Sequence, residues 1–151
     1  GMTSAEIHWV FDGVRQWDWE AEWSPAESPV KIVAGLPFAL SAYYSEYGDE
    51  FFVTLGCQIG EEFENEDWWA DISYTLTLLN ADPNLNRVQE GDFTLTYNLR
   101  YDCAMMFDGY DDVLELNGVR KGFIVANRLS MKAIFTVHNV CGVPQPNIHL
   151  N

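Results

Sequence analysis

Between residues 129 and 137 every second position is apolar: Leu129, Met131, Ala133, Phe135 and Val137 alternate with Ser130, Lys132, Ile134 and Thr136. A strand turns successive side chains to opposite faces, so this spacing makes a ribbon with one apolar side; a helix would scatter the same residues around its axis. Residues 51–57, 70–78 and 93–99 repeat the pattern. Turn formers separate these runs: Tyr47-Gly48-Asp49, Asn80-Ala81-Asp82-Pro83-Asn84, Glu90-Gly91-Asp92, Asp108-Gly109 and Asn117-Gly118. No stretch sustains a helical period with caps. Short strands joined by turns predict an all-β chain, an antiparallel β-sandwich of seven to eight strands. A parallel α/β sheet is not expected, because its crossovers need a dozen or more residues, usually a helix.

The 151 residues suffice for one domain with a sizeable core and are too few for two comfortable ones. Charge then narrows the partners. Eight basic residues against 23 acidic ones give −15 at neutral pH. Residues 1–80 hold 15 of the acids against only Arg15 and Lys31. Such a surface repels nucleic acid and anionic membranes, and a partner steered to it by charge is basic.

Most chemistries find no support. There is no Gly-x-Gly-x-x-Gly turn and no phosphate-binding loop, so no nucleotide cofactor is expected. Cys57, Cys103 and Cys141 are an odd set without Cys-x-x-Cys spacing, which points to intracellular thiols and away from zinc. Cys57, on the apolar face of its strand, is expected to be buried. The acidic run Glu61-Glu62-Phe63-Glu64-Asn65-Glu66-Asp67 lacks the spacing of the twelve-residue calcium loop and reads as a solvated loop, so no metal is expected. No catalytic motif accompanies His8, His138 or His149, and no enzyme activity is expected. With no signal peptide, no Asn-x-Ser/Thr acceptor and no long apolar span, the expected location is cytoplasmic or nuclear.

The tryptophans keep a rival from another class open. Trp17, Trp19 and Trp23 stand beside Asp18, Glu20 and Glu22, and exposed indoles can stack on sugar rings, so a carbohydrate-binding sandwich is the alternative. For these three and Trp9 the competing expectation is packing in the core and over a sheet edge. Trp68 and Trp69 are consecutive in a strand, so one of them should face outward.

Four segments recur in a familiar order. Ser28-Pro29 with Ile32 and Gly35-Leu36-Pro37-Phe38 precede the strand of Phe51, Val53, Leu55 and Cys57. Trp68 then leads into Leu76-Thr77-Leu78-Leu79-Asn80. Gly109-Tyr110-Asp111-Asp112-Val113-Leu114 is followed by Gly122-Phe123-Ile124-Val125-Ala126-Asn127 and the alternating strand at 129–137. Over residues 8–138 the chain resembles the MATH (meprin and TRAF homology) domain, most closely nematode MATH and MATH-BTB proteins. Residues 1–7, with Gly1 before Met2, are then expected to be a tag remnant and leader. Residues 139–151, with Pro144 and Pro146, are expected to be a tail or linker.

The resemblance implies a domain that does no chemistry and binds a short extended peptide of a partner protein in a groove on one sheet. In MATH-BTB adaptors that peptide lies on the substrate of a cullin-type ubiquitin ligase. Carried over by position, the groove would comprise Tyr74, six residues before Asn80; Glu50 and Phe52 on the outward face of a neighbouring strand; Arg100 or Tyr101; and the loop Met106-Phe107-Asp108-Gly109-Tyr110. Core packing is the competing expectation for Tyr74. Asp108 stands where the family carries Trp, and Met106 and Asp111-Asp112 stand where it carries basic residues. An aromatic wall lost and acid gained predict a peptide with Lys or Arg beside an apolar anchor. Residues 1–7 supply no heptads, so trimerisation through a preceding coiled coil is not expected.

Overall fold

A computed structural model describes residues 2–14, 26–45, 50–63, 67–96, 103–108 and 122–143, and within them ten strands form two antiparallel sheets. In the first, β1 (Thr3–Asp12), β10 (Arg128–Cys141), β6 (Trp69–Leu78) and β7 (Arg87–Thr96) lie side by side, and β9 (Ile124–Val125) pairs with the start of β10. In the second the order is β2 (Ala26–Glu27), β4 (Leu36–Ser45), β5 (Glu50–Cys57) and β8 (Cys103–Asp108), with β3 (Lys31–Val33) paired to the start of β4. The architecture is the expected all-β sandwich, with ten strands instead of seven to eight. Three of them, β2, β3 and β9, span only two or three residues, too few for a period of two to register.

Alternation positions the core. Leu129, Met131, Ala133, Phe135 and Val137 of β10 are all buried. They face Leu36, Phe38 and Leu40 of β4 and Phe51, Val53 and Leu55 of β5, which are fully buried too. Phe38 and Phe135 join the two sheets directly, with ring centroids 4.6 Å apart. Each such side chain contributes roughly 1.5–3 kcal/mol on leaving water. Trp68, 1% exposed, packs edge-on against Phe63 at 5.5 Å. Its indole N–H donates to the Phe63 carbonyl at 2.7 Å, so the one polar atom of the ring is satisfied.

Two tight turns set strand register. Ala34 and Gly35, with φ of 51° and 80°, link β3 to β4; Ala126 and Asn127, at 51° and 62°, link β9 to β10. Two successive left-handed residues give the primed turn whose twist matches that of its strands. The Asn80 segment is the turn the sequence predicts. Asp82 accepts from the Asn84 N–H at 3.0 Å and caps a 3-10 turn, Pro83–Leu85. The Gly122 carbonyl accepts from the Ala81 N–H at 2.8 Å, and a Cβ on Gly122 would collide with Asn80 Oδ1.

Other expectations change. Glu90-Gly91-Asp92 is not a turn but the middle of β7, where Gly91 lies opposite Tyr74. A Cβ there would come 3.0 Å from Tyr74 Oη, so the glycine makes room for a ring. Sheet pairing also passes both expected limits of the domain. Thr3 pairs with Val137, so residues 3–7 belong to β1. At the other end β10 passes a register shift between Val137 and Val140 and continues to Cys141, and Val143 is buried.

Candidate peptide-binding face

The outer face of the second sheet is built by the same alternation that fills the core. In β4, β5 and β8 the residues Ala42, Phe51, Val53, Met105 and Phe107 point inward and are buried. Their neighbours Tyr43, Phe52 and Met106 point outward. Register sets these three on one rung: Tyr43 opposite Phe52, and Phe52 opposite Met106. The Tyr43 and Phe52 rings stack with centroids 4.9 Å apart and planes at 16°, and Met106 is 52% exposed. The result is an apolar stripe crossing three strands.

Polar groups bound the stripe on both sides. At one end Glu50 and Asp108 are paired positions, which brings two acids into adjacent register. On the other side Ser41 and Thr54 hydrogen-bond through their hydroxyls. Further along, small residues open a shallow depression of about 110 Å3 lined by Glu27, Ala39, Ser41, Gly56, Cys57 and Gln58. Gln58 Nε2 donates to Glu27 Oε2 at 2.9 Å across its rim.

β8 is the last strand of this sheet among the described residues, and two side chains of β7 in the other sheet reach it. The Gln89 amide of β7 donates to Tyr74 Oη and to the Ala104 carbonyl, both at 2.9 Å, tying the two sheets together. The Arg87 guanidinium sits 5.2 Å from the Phe107 ring centroid, a cation–π contact on the same side of the sandwich.

Of the residues expected in a groove, Glu50, Phe52 and Met106 share this face, and Asp108 stands in register with Glu50. Two do not belong to it. Tyr74 is on the inner face of the other sheet, edge-on to Phe93 at 5.8 Å, the core placement that was its competing expectation. Phe107 is 2% exposed, 6.4 Å from Phe51. The reason is that residues 106–108 continue a strand instead of forming a loop, so Met106 and Phe107 must face opposite ways. Arg100, Tyr101, Gly109 and Tyr110 lie outside the described residues. Tyr43, Glu27 and Gln58 were not singled out by sequence. The signal for Tyr43 was present: Pro37, Ala39, Ser41 and Tyr43 alternate with the buried Leu36, Phe38, Leu40 and Ala42.

The opposite outer face mixes polar pairs with exposed apolar side chains, Val10, Val88 and Ile134 among them. Ser4 and Thr136 hydroxyls are 2.9 Å apart, Thr94 Oγ1 donates to Asp71 Oδ1 at 2.7 Å, and Ser73 Oγ lies 2.7 Å from His138 Nε2. A hydroxyl beside an imidazole is half of a nucleophilic site, but among the described residues no carboxylate bonds the ring to orient it. Trp69 is 38% exposed here while Trp68 is buried, as their consecutive positions require. Trp9 is also 38% exposed, not packed in the core; it lies on β1, an outermost strand of its sheet among the described residues. Trp17, Trp19 and Trp23 lie outside the described residues. Cys57 is half-buried instead of buried, because it ends β5; Cys141 is exposed. Among the described residues no three His, Cys, Asp or Glu side chains converge, and no helix is long and apolar enough to cross a membrane.

Fold and face together define an antiparallel β-sandwich carrying an apolar stripe, with Glu50 towards one end and the Ser41 and Thr54 hydroxyls on the other side. The chain matches no protein-family model and no curated protein.

Proposed function

We propose that this protein is a non-enzymatic, MATH-type recognition domain that binds a short extended peptide of a partner protein across the outer face of the β2-β4-β5-β8 sheet. The observation that carries the reading is the Tyr43–Phe52–Met106 rung, an outward apolar stripe ending at the paired positions of Glu50 and Asp108. A solvated apolar stripe rimmed by polar groups marks an interaction site. An apolar residue of the peptide rests on the stripe, and a Lys or Arg meets a carboxylate of this sheet face, where both Glu27 and Glu50 stand. An extended segment suits this surface because its alternate side chains meet a sheet at the sheet's own spacing.

The kinship with MATH domains is supported by the contact between two of the motifs that suggest it: the Asn80 turn and Gly122 lock together through the Ala81–Gly122 hydrogen bond. By the same analogy the protein serves in the cytoplasm or nucleus as a substrate recruiter for a cullin-type ubiquitin ligase.

The test is a binding screen of the purified protein against arrayed short peptides, with glycans alongside and salt varied. Saturable binding of Lys- or Arg-containing peptides, weakened by salt and by Met106→Ala, is the expected result. Glycan binding with silent peptides, abolished by Trp69→Ala, would replace this reading with a carbohydrate-binding one.

A further inference from the structure

We propose that the depression beside Glu27 is the subsite for the peptide's basic side chain, four residues along from the apolar anchor seated on Tyr43, Phe52 and Met106. The proposal rests on the peptide-binding reading and adds to it a location, a chemistry and a spacing. The depression exists because the outward positions of β4 and β5 next to the stripe are small: Ala39, Ser41 and Gly56. From Phe52 to Gly56, and from Tyr43 to Ala39, is four strand residues, roughly 13 Å at a rise of about 3.3 Å per residue. An extended peptide lying along the strands has the same rise and the same alternation. Its residues i and i+4 therefore face the sheet together, one over the stripe and one over the depression.

Chemistry selects a cation for the second position. The rim holds the Glu27 carboxylate, which accepts from Gln58 at 2.9 Å and keeps further acceptor capacity, and the Ser41 hydroxyl stands beside it. An ammonium or guanidinium adds donors to a carboxylate that has lone pairs to share, with charge assistance. An acidic or phosphorylated side chain would be repelled by Glu27. The charge of the chain agrees, since β2, β4 and β5 all fall within residues 1–80, where 15 acids face two bases.

Fluorescence anisotropy with three labelled nonapeptides tests this: Leu followed four residues later by Lys, Leu followed two residues later by Lys, and Leu followed four residues later by Gln. The first should bind tightest. Glu27→Gln should weaken it about two- to fivefold, the worth of one part-exposed ion pair, while leaving the Gln peptide unchanged. Gly56→Val, which fills the depression from a strand position, should erase the advantage of the first peptide. Thermal unfolding of both variants separates these effects from loss of fold. If all three peptides bind alike and Glu27→Gln changes nothing while Met106→Ala still weakens binding, the depression is not the subsite and the face survives. If no peptide binds, both inferences fall.

Discussion

Ala34 holds a φ of 51°, a left-handed conformation that costs an L-residue with a plain Cβ about 1–2 kcal/mol. Asparagine tolerates that conformation better, because its side chain can hydrogen-bond locally. Ala34→Asn should therefore raise stability by about 0.5–1 kcal/mol, seen as a higher urea midpoint at unchanged slope. Two adjacent residues make the sharper test of the site. Phe107→Ala removes a buried ring and should cost about 3–5 kcal/mol. Met106→Ala, on the opposite face, should shift stability by no more than about 0.5 kcal/mol and yet weaken peptide binding. Equal losses of stability from the two would show that Met106 is core and dissolve the stripe. At this scale the sequence is half legible: consecutive residues in a strand must diverge, but which one goes inward depends on what lies across the sandwich.

Whole strands are legible where the apolar period is long. β10, with five buried residues at a spacing of two, is evident from its own residues; β1 is not, because between Thr3 and Trp9 only Ile7 is buried. Its place comes from ten paired positions with β10, from Thr3 opposite Val137 to Asp12 opposite Arg128. Removing residues 1–7 should accordingly lower stability by roughly 3 kcal/mol, from the lost burial of Ile7 and part of a ladder, measured by chemical unfolding. A truncated chain of unchanged stability would return that segment to the status of a leader. Gln89 makes a second claim about elements. Its amide joins β7 to β8 and to Tyr74, so Gln89→Leu should cost about 1–2 kcal/mol by leaving a carbonyl and a hydroxyl without their donor. If that variant is as stable as the parent, the two sheets are not held together through this side chain.

For the molecule as a whole, −15 is a load of like charge that opposes compaction. Raising sodium chloride from about 0.05 to about 0.5 M shortens the screening distance several-fold, so it should raise the melting temperature by a few degrees while weakening the binding of basic peptides. The opposite signs are diagnostic. If salt leaves peptide binding untouched, contact with the acids does not drive it. The all-β class and the antiparallel arrangement follow from residues read in order, because a period of two and turn chemistry are local properties; net charge, an additive one, motivates the proposal of a basic partner. The tertiary structure alone decides the phase of each alternation and the neighbour of each strand. Those choices send Tyr74 and Phe107 into the core and bring Tyr43, Phe52 and Met106, distant in the chain, onto one rung. A strand's own sequence shows that it has two faces. Which face is buried is set by apolar area contributed from the opposite sheet, and that area comes from residues far away along the chain.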